Sequence, residues 1–444
     1  KMKFKIIAVL LIHAFAFNAV VEAQSTKVAV ISGATVIDGT LRKPIKNAVI
    51  VIEGNRIRQV GAKNKIKLPR NARVIDAAGK FVIPGLADMH IHPGSSFLRG
   101  NSGAQMLASG FTTVFLPSGP SLNDTAELKK LSSRDDSKMP RVFGVGPAFT
   151  VKGSHASAPS FGSLLVETPD EARGKVREYK AAGVDAIKLI YEDGGRAGRP
   201  TYPIMKPEIM LAIIDEAHKQ GLKTYVHAGN LNRAKEALEA GADGMVHTVL
   251  SERVDDEYIA LMKRNRAVFI TTHSIMKAFS DISGWMQKLE AMDERGIVPK
   301  EVYERFKAPG GVEAYYKNVS RLTEEQMGFI KYNLRKVHAA GILVVAGTDA
   351  GGSTLPLGVP SRIELVLLVE DGLKPSEALQ AATINAAKML GREKEQGTIE
   401  AGKLADLVIL EADPLADIRN IKRIYRVIKS GAVYDPAELL QNAK

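Results

Sequence analysis

The chain has 444 residues and no cysteine; 45% of the residues are hydrophobic, 25% are charged, and the formal net charge is +12. A single hydrophobic core stops growing at roughly 250–300 residues, so this length predicts more than one domain, and the composition excludes a disordered chain, a collagen-like fibre and a polytopic membrane protein. Without cysteine there are no disulfides, thiolate metal sites or cysteine nucleophiles, and without a dense run of Lys or Arg we expect no nucleic-acid partner.

The first residues have the layout of a secretory signal peptide. Three lysines at the start precede an apolar run, residues 6–21, and the small residue Ala23 follows it. This run is short for a membrane span, which needs about 20 residues, and it contains a histidine. We therefore predict a signal peptide over residues 1–23, a periplasmic or secreted protein, and no stable membrane association after cleavage. An uncleaved anchor is the alternative.

Two stretches of short β-rich runs lie at the two ends of the chain. Residues 27–84 alternate Val and Ile with polar residues between Asp-Gly and Gly-Asn turns, and residues 393–436 have the same texture. The long middle between them has a different character. We therefore predict one small, discontinuous β-sandwich domain that is built from both chain ends.

The middle, residues 85–392, alternates helical and strand patterns. Helices with apolar spacing near 3.6 are predicted over residues 168–182, 206–220 and 230–240, each followed by a glycine and a short apolar strand. Eight strands can be counted, beginning with KFVIPGLADMHIH, and repeated helix–Gly–strand units indicate parallel connections. This pattern predicts an α/β fold, a (β/α)8 TIM barrel. An open doubly wound sheet is the alternative, which the lack of a phosphate-binding glycine loop disfavours.

A long segment, residues 274–340, separates the seventh predicted strand from the eighth. It has a helical pattern and carries several aromatic residues. Two interpretations stay open: a lid or dimer contact over the barrel mouth, or helices whose aromatic residues pack onto the barrel. The sequence does not fix the oligomeric state, and a homo-oligomer is one option.

Polar side chains interrupt the apolar strands at their carboxyl ends, where TIM barrels place their chemistry. The first strand ends in His90-Ile91-His92, and residues two apart on a strand face the same side. The other strand ends supply Lys188 from the fourth strand, His227 from the fifth, His247 from the sixth and Asp349 from the eighth. One strand histidine alone is more often a core residue than a ligand. The polar residues at these five strand ends, which include a lysine that is costly to bury, together predict a metal site.

With these residues in this strand order, the chain resembles the amidohydrolase superfamily of metal-dependent hydrolases. The phrases PGLADMHIH, AGTDAG, ALQAATINAAKMLG and GTIEAGKLADLVIL are similar to its prolidase- and imidazolonepropionase-like branch, and the likeness covers nearly all of the chain. In members with a lysine on strand four, carbon dioxide carboxylates that lysine, which requires a neutral amine. The resemblance therefore implies a carbamate on Lys188 that bridges two divalent metal ions, with zinc first among the metals such ligands accept.

The resemblance also implies a role for each ligand. The first metal would be held by His90, His92, Lys188 and Asp349, and the second by Lys188, His227 and His247. Asp349 would be the general base for a metal-bridging hydroxide and would pass the proton to the leaving amine. Two alternatives stay open: Asp349 as a ligand only, and Lys188 as a structural ion-pair residue in a site with one metal.

Substrate contacts are expected on the loops that follow the barrel strands. The loop after Lys188 reads YEDGGRAGRP, in which Arg196 or Arg199 could hold a substrate carboxylate in a bidentate pair, with Tyr191 nearby. Other candidates are His155, Asn230 and His273. Gly229 departs from several prolidase-like relatives, which carry a larger residue there, and this departure argues against a simple prolidase.

The sequence thus predicts an exported amidohydrolase that cleaves a C–N amide bond in a small molecule or short peptide, such as a dipeptide or an N-acyl amino acid. On the same site, the alternatives are a cyclic amide or imidazolone, a lactone, or a phosphoester. Imidazolonepropionases usually use one metal and lack the strand-four lysine, so Lys188 argues against that reaction. A catalytically dead binding protein is the alternative of another class, which the complete ligand set disfavours.

Overall fold

The computed structural model describes residues 28–93, 97, 101–119, 121–194, 201–319, 322–351 and 355–441. The predicted signal peptide over residues 1–23 lies outside these ranges. Within them, no helix combines the length and the apolar composition that a membrane crossing requires.

Strands make up both the barrel and a separate sheet domain. In chain order the described strands are β1 Val28–Val36, β2 Ile45–Glu53, β3 Arg56–Ala62, β4 Arg73–Asp76, β5 Phe81–Pro84, β6 Leu86–Asp88, β7 Ile91–His92, β8 Phe111–Leu116, β9 Arg141–Gly144, β10 Phe149–Thr150, β11 Leu164–Leu165, β12 Ala186–Ile190, β13 Lys223–His227, β14 Gly244–Val246, β15 Val268–Ile270, β16 Val344–Val345, β17 Ala350–Gly351, β18 Leu407–Leu410, β19 Ile424–Lys429 and β20 Ala432–Tyr434. Short 3-10 turns cover Lys63–Lys65, Pro159–Phe161 and Ile418–Lys422.

Helices follow most of the barrel strands. The described helices are α1 Asn101–Ala108, α2 Leu122–Ser132, α3 Pro169–Ala181, α4 Pro207–Lys219, α5 Leu231–Glu239, α6 Asp256–Arg264, α7 His273–Ser280, α8 Ile282–Met292, α9 Lys300–Lys307, α10 Val312–Val319, α11 Glu324–Ala339, α12 Val359–Glu370, α13 Pro375–Ala381, α14 Ile384–Met389 and α15 Pro436–Gln441. The three helices predicted from apolar spacing are confirmed as α3, α4 and α5. Thr168 caps α3 by accepting a hydrogen bond from Glu171 N (3.3 Å).

Both ends of the chain contribute to one eight-stranded sheet of order β20-β19-β18-β5-β1-β2-β3, in which β4 also pairs with β1. The amino-terminal strand β5 pairs antiparallel with the carboxyl-terminal strand β18, so the domain is discontinuous as predicted. Its strands are hydrogen-bonded as one continuous sheet, because β1 pairs with β2 on one edge and with both β4 and β5 on the other. The core of this domain is aliphatic and includes Ile31, Val82 and Leu407.

Eight parallel strands form the barrel, in the order β6, β8, β9, β12, β13, β14, β15 and β16. Between the third and fourth strands, Asp185 N donates a hydrogen bond to Gly144 O (3.0 Å). The eighth strand closes onto the first through a bond from Met89 N to Ala346 O (2.9 Å). The predicted TIM barrel is therefore confirmed.

The interior of the barrel is filled by side chains, among them Phe115, Ala186 and Tyr225. Residues two apart on a strand face the same side. Lys188 lies two residues after Ala186, so its side chain points into this interior. His227 stands in the same relation to Tyr225. The apolar side chains that fill the barrel and the polar side chains at the carboxyl ends of its strands thus project from the same strand faces.

The run KFVIPGLADMHIH, predicted as one strand, is divided into β5 in the sheet domain, β6 in the barrel and β7 at the barrel mouth. Gly85 lies at the corner between β5 and β6. A Cβ atom at this position would lie 2.1 Å from Thr112 Oγ1, which is a severe steric overlap. The chain therefore needs glycine where it passes from one domain to the other.

The segment 274–340 forms most of α7 and all of α8 to α11. Trp285 and Phe306 are fully buried and stacked, with ring centroids 6.0 Å apart. Trp285 Nε1 donates a hydrogen bond to Ser274 Oγ (3.1 Å). These contacts join helices of the segment to one another, which favours a packing role for the aromatic residues over a lid.

Replacing Gly85 with alanine should destabilise the fold by about 1–3 kcal/mol, because the added methyl group overlaps Thr112. Gly328, an exposed glycine inside α11 with open space around its Cβ position, is the matched control. Gly328→Ala should be neutral or slightly stabilising, since alanine favours helix. Urea unfolding of both variants measures the difference, and equal stability of the two variants would contradict the steric argument.

Candidate metal centre

Three donor atoms converge where the first and eighth barrel strands meet. His90 follows β6, His92 lies in β7, and Asp349 directly precedes β17, which pairs with β7. The Nε2 atoms of the two histidines are 3.1 Å apart and lie 3.3 Å and 2.9 Å from Asp349 Oδ1. Donors about 2.1 Å from one ion are roughly 3.0–3.4 Å apart at coordination angles of roughly 90–110°. The three atoms are therefore spaced to hold one metal ion.

The protonation states of this group suit a metal. Burial lowers the pKa of His90 to about 3, although the Asp349 carboxylate acts in the opposite direction. Burial alone would raise the pKa of Asp349, but the imidazoles of His90 and His92 hold it well below its ordinary value. At neutral pH, His90 is thus a neutral imidazole and Asp349 an ionised carboxylate, which are the forms that ligate metals.

A second group of predicted ligands comes from β12, β13 and β14. Lys188 lies in the middle of β12, His227 ends β13, and His247 follows β14. The His247 ring centroid is 4.4 Å from that of His227 and 4.8 Å from that of His90. Lys188 is only 3% exposed and interacts electrostatically with Asp349. The structure thus brings the six predicted ligands together at one end of the barrel.

The surroundings of Lys188 suit carboxylation. Burial lowers the pKa of this lysine to about 8, against the opposing effect of the Asp349 carboxylate. A lysine with a lowered pKa has the neutral amine that reacts with an electrophile such as carbon dioxide. A carbamate at this position would carry negative charge and two oxygen donors between the two groups of ligands. Lys188 therefore fits the role of a bridging ligand.

Three residues of the centre have a left-handed backbone: His247 with φ 74°, Asp349 with φ 61° and Thr272 with φ 100°. Non-glycine residues rarely adopt positive φ, and such strain persists only where the surrounding structure enforces it. Thr272 Oγ1 lies 2.8 Å from His247 Nδ1, so the most unusual of the three supports a predicted ligand. Strain of this kind is typical of functional sites.

The strand and helix patterns do not single out three buried carboxylates beside the ligands: Asp88, Glu192 and Glu364. Glu192 Oε2 lies 3.8 Å from His227 Nε2 and accepts a hydrogen bond from Gly229 N (2.7 Å). Burial raises the pKa of Asp88 to about 7 against three hydrogen bonds that lower it, and the nearby charge of Glu364 acts in the same direction as burial. An acidic residue inside an apolar strand was the available signal for Asp88. The other two resemble ordinary loop and helix positions.

Comparison with known proteins agrees with this geometry. Residues 81–433 match the sequence model of the amidohydrolase family. The chain belongs to the amidohydrolase family. An ochratoxinase from Aspergillus niger is 26% identical to it, over 94% of this chain and 88% of the relative. An imidazolonepropionase from Caldanaerobacter subterraneus subsp. tengcongensis is 25% identical, over 84% of this chain and 85% of the relative.

Solved structures give the same result. The crystal structure of a Xaa-Pro dipeptidase with bound methionine matches this amidohydrolase with a TM-score of 0.72 and 26% sequence identity. The match covers 92% of this chain and 100% of the dipeptidase chain. The predicted superfamily is confirmed, and the protein is a metal-dependent hydrolase of the class that acts on carbon–nitrogen bonds.

Three of the predicted substrate contacts are bonded to protein groups in this amidohydrolase. Tyr191 is buried, and its hydroxyl donates a hydrogen bond to Glu236 Oε2 (2.6 Å). Asn230 caps α5, accepting a hydrogen bond of 2.9 Å from the backbone two residues further on. His273 begins α7 instead of ending a strand, and its Nδ1 lies 2.7 Å from Asp371 Oδ2. These contacts give all three side chains structural roles that require no substrate.

Of the remaining candidates, His155 lies near the candidate ligands. His155 is half-buried in the loop after β10, with its ring centroid 5.2 Å from that of His227 and 5.7 Å from that of Tyr202. It is therefore placed to meet a molecule that approaches the His227 side of the centre. Arg196 and Arg199 lie outside the described residues, so their predicted clamp on a carboxylate stays a prediction.

Lys188→Ala should lower the metal content by at least half, because it removes the group that fits the bridge between the two sets of ligands. Lys429 is a matched control: burial also lowers its pKa to about 8, but its Nζ donates to Ser132 O (3.0 Å) at the edge of the sheet domain. Metal per folded chain, measured by plasma mass spectrometry, should stay unchanged in Lys429→Ala. Short carboxylic acids should restore part of the metal in Lys188→Ala. Full metal occupancy in that variant would rule out the bridge.

Proposed function

We propose that this amidohydrolase is an exported enzyme with two metal ions that hydrolyses the amide bond of a dipeptide or an N-acyl amino acid. The observation that supports this proposal most directly is the convergence of the His90, His92 and Asp349 donor atoms beside buried Lys188. Nitrogen and oxygen donors of this kind suit zinc, which we propose as the native metal. The export part rests on the sequence pattern of residues 1–23.

The chain's own residues can perform the proton transfers of amide hydrolysis. When bound, two divalent ions supply Lewis-acid polarisation of the scissile carbonyl and an acidified water molecule. Both imidazoles contact Oδ1 of Asp349, so Oδ2 is the carboxylate oxygen assigned to accept the water proton. The same atom then donates that proton to the nitrogen of the leaving amine, which departs as a neutral molecule.

Two aromatic rings beside the centre offer contacts for a substrate. The rings of His155 and Tyr202 border the His227 side of the centre and offer both an aromatic surface and hydrogen-bonding atoms. The relatives are named for different substrates, so similarity to them supports the bond type more than the side chains around it. We propose an amide rather than an imidazolone ring as the substrate because Lys188 argues for two metals. A carboxylate clamp by Arg196 or Arg199 would favour substrates with a free carboxyl end.

A screen for released amines tests the proposal. The zinc-loaded protein is incubated with dipeptides and N-acyl amino acids, and the same protein treated with a chelator is the control. We expect chelator-sensitive release from one of the two groups, and a preference for a free carboxylate would support the arginine clamp. No release from a protein with two ions per chain would contradict the proposal and point to a lactone, a cyclic amide or a phosphoester.

Asp349→Asn should retain most of the metal but lower kcat by about 10²–10⁴-fold, because asparagine cannot accept the proton. Asparagine tolerates the left-handed backbone at this position, so the fold should survive. Asp371→Asn is the matched control, since Asp371 is also a buried aspartate paired with a histidine but lies outside the ligand groups. Steady-state kinetics with metal analysis measures both variants. Unchanged turnover in Asp349→Asn would refute its assignment as the base.

A further inference from the structure

Two buried carboxylates lie directly behind the candidate ligands, one behind each group. The first is Asp88, whose Oδ1 accepts hydrogen bonds from His90 N (3.0 Å) and Thr348 N (3.2 Å). Its Oδ2 accepts from Thr348 Oγ1 (2.7 Å) and Ser361 Oγ (2.6 Å). One carboxylate thus fixes the backbone of His90 and of the residue before Asp349.

The second carboxylate is Glu364, which accepts four hydrogen bonds from the turn after β15. Its Oε1 accepts from Thr271 Oγ1 (2.5 Å), Thr272 N (3.1 Å) and His273 N (3.0 Å). Its Oε2 accepts from Ser274 N (2.6 Å). Every residue of the turn 271–274 is therefore bonded to one side chain.

This clamp accounts for the strained backbone of Thr272. A β-branched residue at φ 100° is unfavourable, and it persists here because bonds to Glu364 flank it on both sides. The strained turn places Thr272 Oγ1 2.8 Å from His247 Nδ1. When Nδ1–H donates to this oxygen, the lone pair of His247 lies on Nε2, where an ion can bind.

The two clamps, Asp88 with its donor Ser361 and Glu364 with the turn 271–274, share one helix. Ser361 and Glu364 lie three residues apart in α12, which places them on neighbouring positions of one helical face. Both side chains are almost completely buried, as are most residues of this helix. We propose that this single turn of α12 positions the ligands of both metals: Ser361 acts through Asp88 on His90 and Asp349, and Glu364 acts through Thr272 on His247.

These are positioning residues, since they touch the ligands only through other groups. The inference rests on the proposed function only in assuming that the ligands bind two metals, and it makes no use of the substrate. The rival explanation is purely structural: Glu364 caps the first turn of α7, and Ser361 satisfies a buried carboxylate. A purely structural role would lower stability and leave metal affinity unchanged.

Thr272→Val separates the two explanations, because it keeps the β-branched shape and removes only the hydroxyl group that contacts His247. Thr248→Val is the matched control: Thr248 is equally buried, but its hydroxyl group lies 3.2 Å from His273 Nε2 and, within the described residues, has no hydrogen bond to a candidate ligand. Zinc affinity is measured by competition with a chromophoric chelator, and the absorption spectrum of the cobalt-loaded protein reports ligand geometry. We expect Thr272→Val to lower the affinity for one of the two ions by 10–100-fold. Thr248→Val should change neither affinity nor spectrum.

The division between the two metals is tested in variants that hold one ion. His92→Gln should keep only the ion of the second group, and His227→Gln only that of the first. Adding Thr272→Val should lower the affinity of His92→Gln for its remaining ion. Adding Ser361→Ala should lower the affinity of His227→Gln for its remaining ion. Glu364→Gln should behave like Thr272→Val; where it fails to fold, the threonine variant decides.

The outcomes distinguish this inference from the proposed function. Zinc affinities of Thr272→Val and Ser361→Ala equal to those of the wild type would overturn the inference, whatever the amine screen finds. If both variants lower the affinity for the same ion, the claim that Ser361 and Glu364 act on different metals is overturned. A wild-type chain that binds fewer than two ions would overturn both proposals. Two ions, weakened as expected, in a protein that releases no amine would overturn the proposed substrate alone.

Discussion

Closure of the barrel between its first and eighth strands is the constraint on which the centre depends, because His90 and Asp349 come from these two strands. The strands are joined by the bond from Met89 N to Ala346 O, and Asp88 adds its bonds to Thr348 directly above it. A buried carboxylate is tolerated only when its oxygens are hydrogen-bonded. Those same bonds hold donors from distant parts of the chain within reach of one ion.

Much of this arrangement could be predicted from the sequence, because it follows from the spacing of apolar residues and from the positions of polar residues at the ends of apolar runs. Apolar runs ending in a polar residue predict both a strand and the end at which that residue lies. Lys188 was the most informative position, since a lysine within an apolar strand is unfavourable unless its charge is removed. The helices were equally readable: α3 begins after a threonine that caps it, and its apolar spacing continues to its end.

What could not be predicted has a common physical cause. Glu364 lies in the apolar run IELVLLVE, which predicts a buried helix, and only the tertiary fold brings it to the turn after β15. The positive φ angles of His247 and Thr272 have no sequence signal either, since neither residue is glycine. Asn230 shows a similar limit: a polar residue next to a ligand predicts a substrate contact, whereas its role as the cap of α5 is visible only in the structure. Residue type reports local chemistry, whereas these roles depend on contacts between distant elements.

The placement of the clamps separates metal binding from substrate choice. Asp88 and Glu364 lie within a strand and a helix, and their partners are backbone groups and hydroxyls that follow the strand ends, together with Ser361 of α12. The residues facing an incoming molecule, such as His155, lie on loops whose sequence can change without moving those groups. A ligand frame held by a strand and a helix, with substrate contacts left to loops, is compatible with relatives of this fold that are named for an ochratoxin, an imidazolone and a dipeptide. It also means that the ligand frame alone does not determine which carbon–nitrogen bond is cleaved.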